Sequence, residues 1–320
     1  MRSKIFKENA IMEFLNKFDR QKLQRITLLV IAALTLIAMV LLLVIIIASV
    51  EGGSTPQNID GPQFDNLDEI SYEAFDVTAD MLNQGSLVLV NSNHSYIEPA
   101  NLNLVNIAEY RNGLDTSIPY SVAQINLFHL ERTAVSFAHK MLVQLKADTG
   151  NDTIYVSAAY GKGDYTKDIH TGYTMVLTVY GGTYLKDAEN ADLNNWLVSN
   201  AHKFGFVVRY PDGKEEITGV SEYSHAFRYV GIPHATYMKE TDKCLEEYIE
   251  FLKENTSHKD VLTIAGADGK AYAVYYTPVS ANGGSILVPV QTPNPDGSTN
   301  FEYVISGTNE GGVIVTVSLD

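Results

Sequence analysis

Hydrophobic positions fall along the chain in three textures. Residues 26–50 are almost wholly apolar, broken only by Thr27, Thr35 and Ser49. From about residue 71 apolar runs alternate with polar loops, and beyond residue 261 short apolar runs are separated by glycine-rich turns. In the middle texture Ala134, Phe137, Ala138, Met141, Leu142 and Leu145 recur at helical spacing, and Gly150 closes the helix. A second helix is predicted over 190–204, stopping at Gly205, because glycine tolerates the left-handed backbone of a helix end. Strands are predicted over 87–90, 154–159, 173–180, 206–210 and 227–231. Pro211-Asp212-Gly213 marks a tight turn, after which 214–220 should return as a strand. Leu245, Tyr248, Ile249 and Leu252 share one face of an amphipathic helix over 239–255, and 71–84 reads as a short helix or turn. Residues 261–264, 271–276, 285–290, 301–305 and 312–317 form short strands joined by Asp-Gly and Gly-Gly turns. The fold class is α+β: a central antiparallel sheet with packed helices, preceded by one transmembrane helix and followed by a small all-β module. The expected domains are a basic tail (1–25), an anchor (26–50), a linker (51–70), the main domain (71–256) and the β module (257–320).

Charge sharpens this picture. The tail 1–25 holds seven basic and three acidic side chains, leaving 16 basic and 35 acidic in the rest. A body so acidic offers no electrostatic footprint for nucleic acid, which is excluded as a partner. The apolar run 26–50 is long enough to span a bilayer and too long for the core of a cleaved signal peptide. Basic residues before it place the N-terminus inside and residues 51–320 outside, on the surface of a bacterial cell membrane. Cys244 is the single cysteine, so neither an intrachain disulfide nor a cysteine-based zinc cluster is available.

Several pieces, in order, carry a resemblance. They are Leu87-Val88-Leu89-Val90-Asn91, Trp196-Leu197, Asn200-Ala201, Phe204-Gly205-Phe206, Arg209-Tyr210-Pro211, Ile217-Thr218-Gly219, Phe227-Arg228-Tyr229-Val230-Gly231 and Cys244-Leu245-Glu246-Glu247-Tyr248-Ile249. From Ser86 to Asn255 the chain resembles the VanY-type D-alanyl-D-alanine carboxypeptidases, zinc enzymes that trim the terminal D-alanine of wall peptides. The resemblance implies two motifs. In S-x-H-x-x-G-x-x-x-D the His and Asp hold zinc; in E-P-W-H, directly before F-R-Y-V-G, the Glu is general base and the His a third ligand. With Gly172 as the first motif's glycine, its ligand positions carry Ile169 and Val176. Counting back from Phe227 without a gap puts Ala226 at the third ligand and Tyr223 at the base. With one residue inserted, Glu222-Tyr223-Ser224-His225 matches E-x-x-H instead. The stretch matching the family's S-G-Y-R-S is Ser157-Ala158-Ala159-Tyr160-Gly161, without the arginine that grips the substrate carboxylate.

Two readings of the chemistry stay open. In the first, zinc and hydrolysis are lost, no cofactor is expected, and the domain binds a peptidoglycan stem peptide or another envelope protein. Arg209, Arg228 and Tyr160 are then candidates for gripping the peptide, with ion pairing or packing as the ordinary alternative. In the second, His170, Asp168 and His225 form a displaced zinc site with Glu222 as catalytic base, since hydrolytic zinc needs three protein ligands and an open position. His139, His202 and His234 are expected to be structural. A third possibility is a structural envelope protein whose β module makes the contacts.

Overall fold

The computed structural model describes residues 71–114, 119–161, 167–181, 184–221, 225–290 and 301–319, all within the unit Asn58–Asp320. The apolar run 26–50 lies outside the described residues. Among those described, no helix is long and apolar enough to cross a membrane.

The described chain opens on strand β1 (Ser71–Thr78) and a 3-10 turn, Asp80–Asn83. The strand replaces the helix or turn expected there, because it pairs along its whole length with a strand near the other end of the chain. Residues 87–90 are buried but join no ladder, contrary to the strand expected. Their polar atoms go elsewhere: Leu87 N–H donates to Ser306 Oγ (2.9 Å) and Leu89 N–H to the Thr308 carbonyl (3.0 Å).

β2 (Leu104–Asn106), α1 (Ile107–Leu114), β3 (Ser121–Val122) and β4 (His129–Glu131) lead into the long helix α2 (Arg132–Thr149). Glu131 caps α2 by accepting the Thr133 and Ala134 N–H groups (2.7 and 3.3 Å), and Gly150 ends it at φ 70°. β5 (Ile154–Ala158), β6 (Thr174–Val179), α3 (Ala191–Asn200), β7 (Phe206–Val208), α4 (Glu215–Thr218) and β8 (Ala226–Tyr229) follow. Their strands form a five-stranded sheet ordered β3-β5-β6-β8-β7, antiparallel except at the β3–β5 edge.

Strand alternation gives this sheet two different faces. Met175, Leu177, Phe227 and Tyr229 enter the main core, which α2 fills with Ala134, Val135, Ala138, Met141, Leu142 and Leu145. Thr174, Val176, Ala226 and Arg228 face the other way, toward the candidate site.

The predicted strand over 214–220 is instead α4, with Glu215 and Glu216 in its first turn and Gly219 ending it at φ 70°. Acidic residues in the first turn suit the positive end of the helix dipole. The amphipathic stretch 239–255 divides into α5 (Ile232–Thr241) and α6 (Leu245–Asn255), broken where Asp242 adopts φ 52°.

The C-terminal strands are β9 (Leu262–Ala265), β10 (Ala271–Pro278), β11 (Gly283–Val290), β12 (Tyr303–Gly307) and β13 (Gly312–Ser318). Four of them make the sheet β12-β13-β10-β9, while β11 pairs with β1, which precedes the expected 256/257 boundary. Helices α5, through Ala235 and Met238, and α6, through Tyr248, Ile249 and Leu252, share a core with Ile264, Val274 and Ile314 of this module.

Candidate functional site

The positions that the resemblance assigns to zinc come from three neighbouring segments. Val176 on β6 stands opposite Ala226 on β8, and Ala158 on β5 stands opposite Val176 on its other side. These three close with Tyr210 into a buried apolar cluster, with Val220 packed against it. Ile169, in the 3-10 turn Lys167–Thr171, is fully buried. Zinc is held by nitrogen, sulfur or oxygen donors, and the side chains of Ile169, Val176 and Ala226 supply none. These positions do not fit the metal.

Beside this cluster lies a buried ion network centred on Asp168. Its Oδ1 sits 3.1 Å from Arg209 Nε and 2.9 Å from Arg228 Nη1, and its Oδ2 accepts the Thr174 hydroxyl. The Arg228 Nη1 contact is one of charge without hydrogen-bond alignment. Arg209 also forks onto Glu246 (2.9 and 2.8 Å) and donates to the Val90 carbonyl (3.2 Å). Arg228 donates to the Ser86 and Val88 carbonyls, thereby holding the segment 86–90 against the sheet. Burial alone would raise the Asp168 pKa, but the charges of Arg228 and Arg209 and the Thr174 hydroxyl hold it below the ordinary carboxylate value. Asp168, Arg209 and Arg228 are all essentially unexposed. The two guanidinium groups offered as peptide-binding candidates therefore face internal partners.

His170 and His225 are not drawn to this carboxylate as a ligand set. His170 is half-buried with its ring edge-on to Tyr160, centroids 6.5 Å apart. The His225 ring lies against Tyr184 (6.2 Å), and desolvation, with Lys186 nearby, lowers its pKa. Among the described residues no group of three His, Cys, Asp or Glu side chains could hold a metal ion. Glu222 and Tyr223 lie outside the described residues.

What remains accessible is a polar, aromatic rim. The Tyr160 hydroxyl donates to Glu98 Oε1 (2.6 Å), and its main chain is bridged to His129. Half-buried Tyr96 lies close enough to Arg228, Glu98, Tyr160 and Asp168 for each to perturb its hydroxyl, which burial pushes upward. Tyr96 and Glu98 escaped the sequence reading because they belong to a polar loop, 91–103, with no periodicity to single them out. The rim can stack on and hydrogen-bond a ligand. Among the described residues it presents no group of three metal-ligating side chains.

Residues 132–232 match the family model described as VanY, D-alanyl-D-alanine carboxypeptidase. A D-alanyl-D-alanine carboxypeptidase of Enterococcus faecium is 30% identical over 255 residues, covering 75% of this chain and 78% of that protein. The bifunctional D-Ala-D-Ala dipeptidase and D-Ala-D-Ala carboxypeptidase VanXYC of Enterococcus gallinarum is 38% identical over 71 residues, 22% of this chain and 36% of its own. Among solved structures, the vancomycin resistance D,D-dipeptidase VanXYg, in complex with a D-Ala-D-Ala phosphinate analogue, superposes with a TM-score of 0.61 at 21% identity, covering 78% of this chain and 99% of that one. That likeness is one of fold. With an E. faecium relative matched over three quarters of both chains and the family's own segment laid across α2 to β8, this chain belongs to the VanY D-alanyl-D-alanine carboxypeptidase family.

Proposed function

We propose that this chain is a peptidase-family protein without hydrolytic zinc. It is tethered to the outer face of a cell membrane by residues 26–50 and binds peptidoglycan stem peptide. The observation that carries the reading is the packing of Val176 against Ala226, with Ile169 also buried, where the family resemblance requires metal ligands. Without a Lewis acid to polarise the carbonyl or lower the pKa of water, the hydrolytic route of this family has no starting point. The fold and the rim of Tyr96, Glu98, Tyr160 and His170 remain, and a scaffold can outlive its chemistry. The apolar run and the basic tail before it support the tether.

Two measurements on the purified full chain in detergent test this. Metal content and D-alanine release are assayed with a peptide ending in D-Ala-D-Ala, and binding of the same peptide is followed by calorimetry. The expected result is saturable binding with no release and no stoichiometric zinc. Zinc at one per chain together with turnover would overturn the loss of hydrolysis, and absent binding would overturn the peptide-binding role.

A further inference from the structure

A cavity of about 480 Å³ opens between the main sheet and the β module, within the size range of small-ligand sites. It shares no lining residue with the apolar cluster of Ala158, Val176, Tyr210 and Ala226. One wall is a stack of three rings: Phe137 on Tyr229 (centroids 5.5 Å, 27°) and Tyr229 on Tyr173 (6.5 Å, 15°). The stack already carries cations, with Lys140 Nζ 4.5 Å from the Phe137 centroid and Arg228 5.6 Å from that of Tyr173. The opposite wall brings Tyr272, whose hydroxyl donates to Asp268 (2.6 Å).

The charge of the lining is one-sided. Glu131 and Asp268 are carboxylates, and no lysine or arginine lines the cavity among the described residues. Glu131 spends Oε2 on capping α2 and shows no bond to its other oxygen among the described residues. His234, the imidazole in the lining, has Nδ1 on Tyr248 and Nε2 on Thr316, and burial holds it neutral by lowering its pKa to about 3. Two carboxylates and phenol rings, with no lysine or arginine in the lining among the described residues, complement a positively charged, hydrogen-bond-donating group.

We propose that this cavity binds an alkyl-ammonium group, such as the side chain of a lysine in a peptide, with Glu131 and Asp268 as its acceptors. The cavity lies apart from the family's metal positions, and this assignment does not depend on whether the chain hydrolyses anything.

The test uses two probes on the full chain: Nα-acetyl-lysine N-methylamide and its norleucine counterpart, which has similar bulk but no ammonium. Calorimetric titration should show the lysine probe binding about tenfold more tightly, the size of one charge-assisted contact. Glu131→Gln retains an oxygen to cap α2 and should bring the lysine probe close to the norleucine value. Asp268→Asn, in an exposed turn, should weaken it in the same direction. Glu216→Gln removes an exposed carboxylate outside the cavity and should change nothing. Equal affinity for both probes, no binding of the lysine probe at millimolar concentration, or the same loss in Glu216→Gln as in Glu131→Gln overturns the proposal.

Discussion

Val176 and Ala226 are direct cross-strand partners, one on β6 and one on β8, and both are buried in the same apolar cluster. Side chains paired this way have Cβ atoms about 5 Å apart, close enough for two metal ligands to share an ion. Replacing Ile169→His, Val176→Asp and Ala226→His together should therefore create zinc affinity that the parent chain lacks. Without metal the variant should melt lower, because an ionised carboxylate in an apolar cluster is costly. Added zinc should raise the melting temperature again, with one ion per chain by elemental analysis. A folded variant that takes up no zinc would show that these three positions do not converge as the family's ligands do.

Asp168 sits between two fully buried guanidinium groups, and its removal leaves Arg228 without a carboxylate partner among the described residues and Arg209 with Glu246 alone. Asp168→Asn should cost about 3–5 kcal/mol in urea denaturation, as breaking a buried pair generally does. Asp152→Asn, which breaks an exposed pair with Lys146, should cost no more than about 1 kcal/mol. The folded-state pKa of Asp168 is depressed, so its contribution is present above the ordinary carboxylate value and is lost as pH falls below it. The Asn variant should accordingly show a flatter stability profile in strong acid. A loss as small as that at Asp152 would mean the network contributes little.

How much of this was legible beforehand depends on how local each signal was. Helix α2 announces itself through the spacing from Ala134 to Leu145 and through Gly150, all within one stretch of chain. Strand β1 does not, because its partner β11 lies near the far end of the chain and supplies the ladder that its own sequence cannot. Residues 87–90 look like a strand since they are apolar, yet their backbone is satisfied by Ser306, Thr308, Arg209 and Arg228. At α4 a helix signal was present in Glu215, Glu216 and Gly219 and was outweighed by the expectation of a hairpin after Pro211. Counting from Gly172 and Phe227 singles out Val176 and Ala226 as a pair. That Asp168 sits between two arginines distant in sequence could be learned only from the fold.

His234 should make the protein acid-sensitive well above the carboxylate range. Its ring is buried between Tyr248 and Thr316, and desolvation lowers its pKa from 6.5 to about 3. The unfolded chain thus binds a proton below pH 6.5 that the folded chain refuses. Stability from this group is intact above 6.5 and falls by about 1.4 kcal/mol per pH unit until the folded pKa is reached. His234→Gln, which keeps hydrogen-bonding capacity without titrating, should reduce the slope between pH 6 and pH 4 by about one proton, read from denaturation midpoints. An unchanged slope would assign the acid sensitivity to other groups.

The β module should depend on a glycine at the end of its N-terminal strand pairing. Gly283 is the partner of Thr78, and it adopts φ 91°, where a side chain is strained. A Cβ placed there would lie 2.4 Å from the Val77 carbonyl oxygen, a backbone atom that cannot swing aside. Gly283→Ala must therefore push β1 away from β11, withdrawing Val77 from the module's core, where it packs with Ile286 and Val288. The expected cost is about 2 kcal/mol or more, combining backbone strain with lost burial. Hydrogen exchange should locate it: amides of Ser71–Thr78 should lose protection while those of α2, in a separate core, keep theirs. Uniform loss across both regions would mean that the module and the main sheet unfold as one cooperative unit.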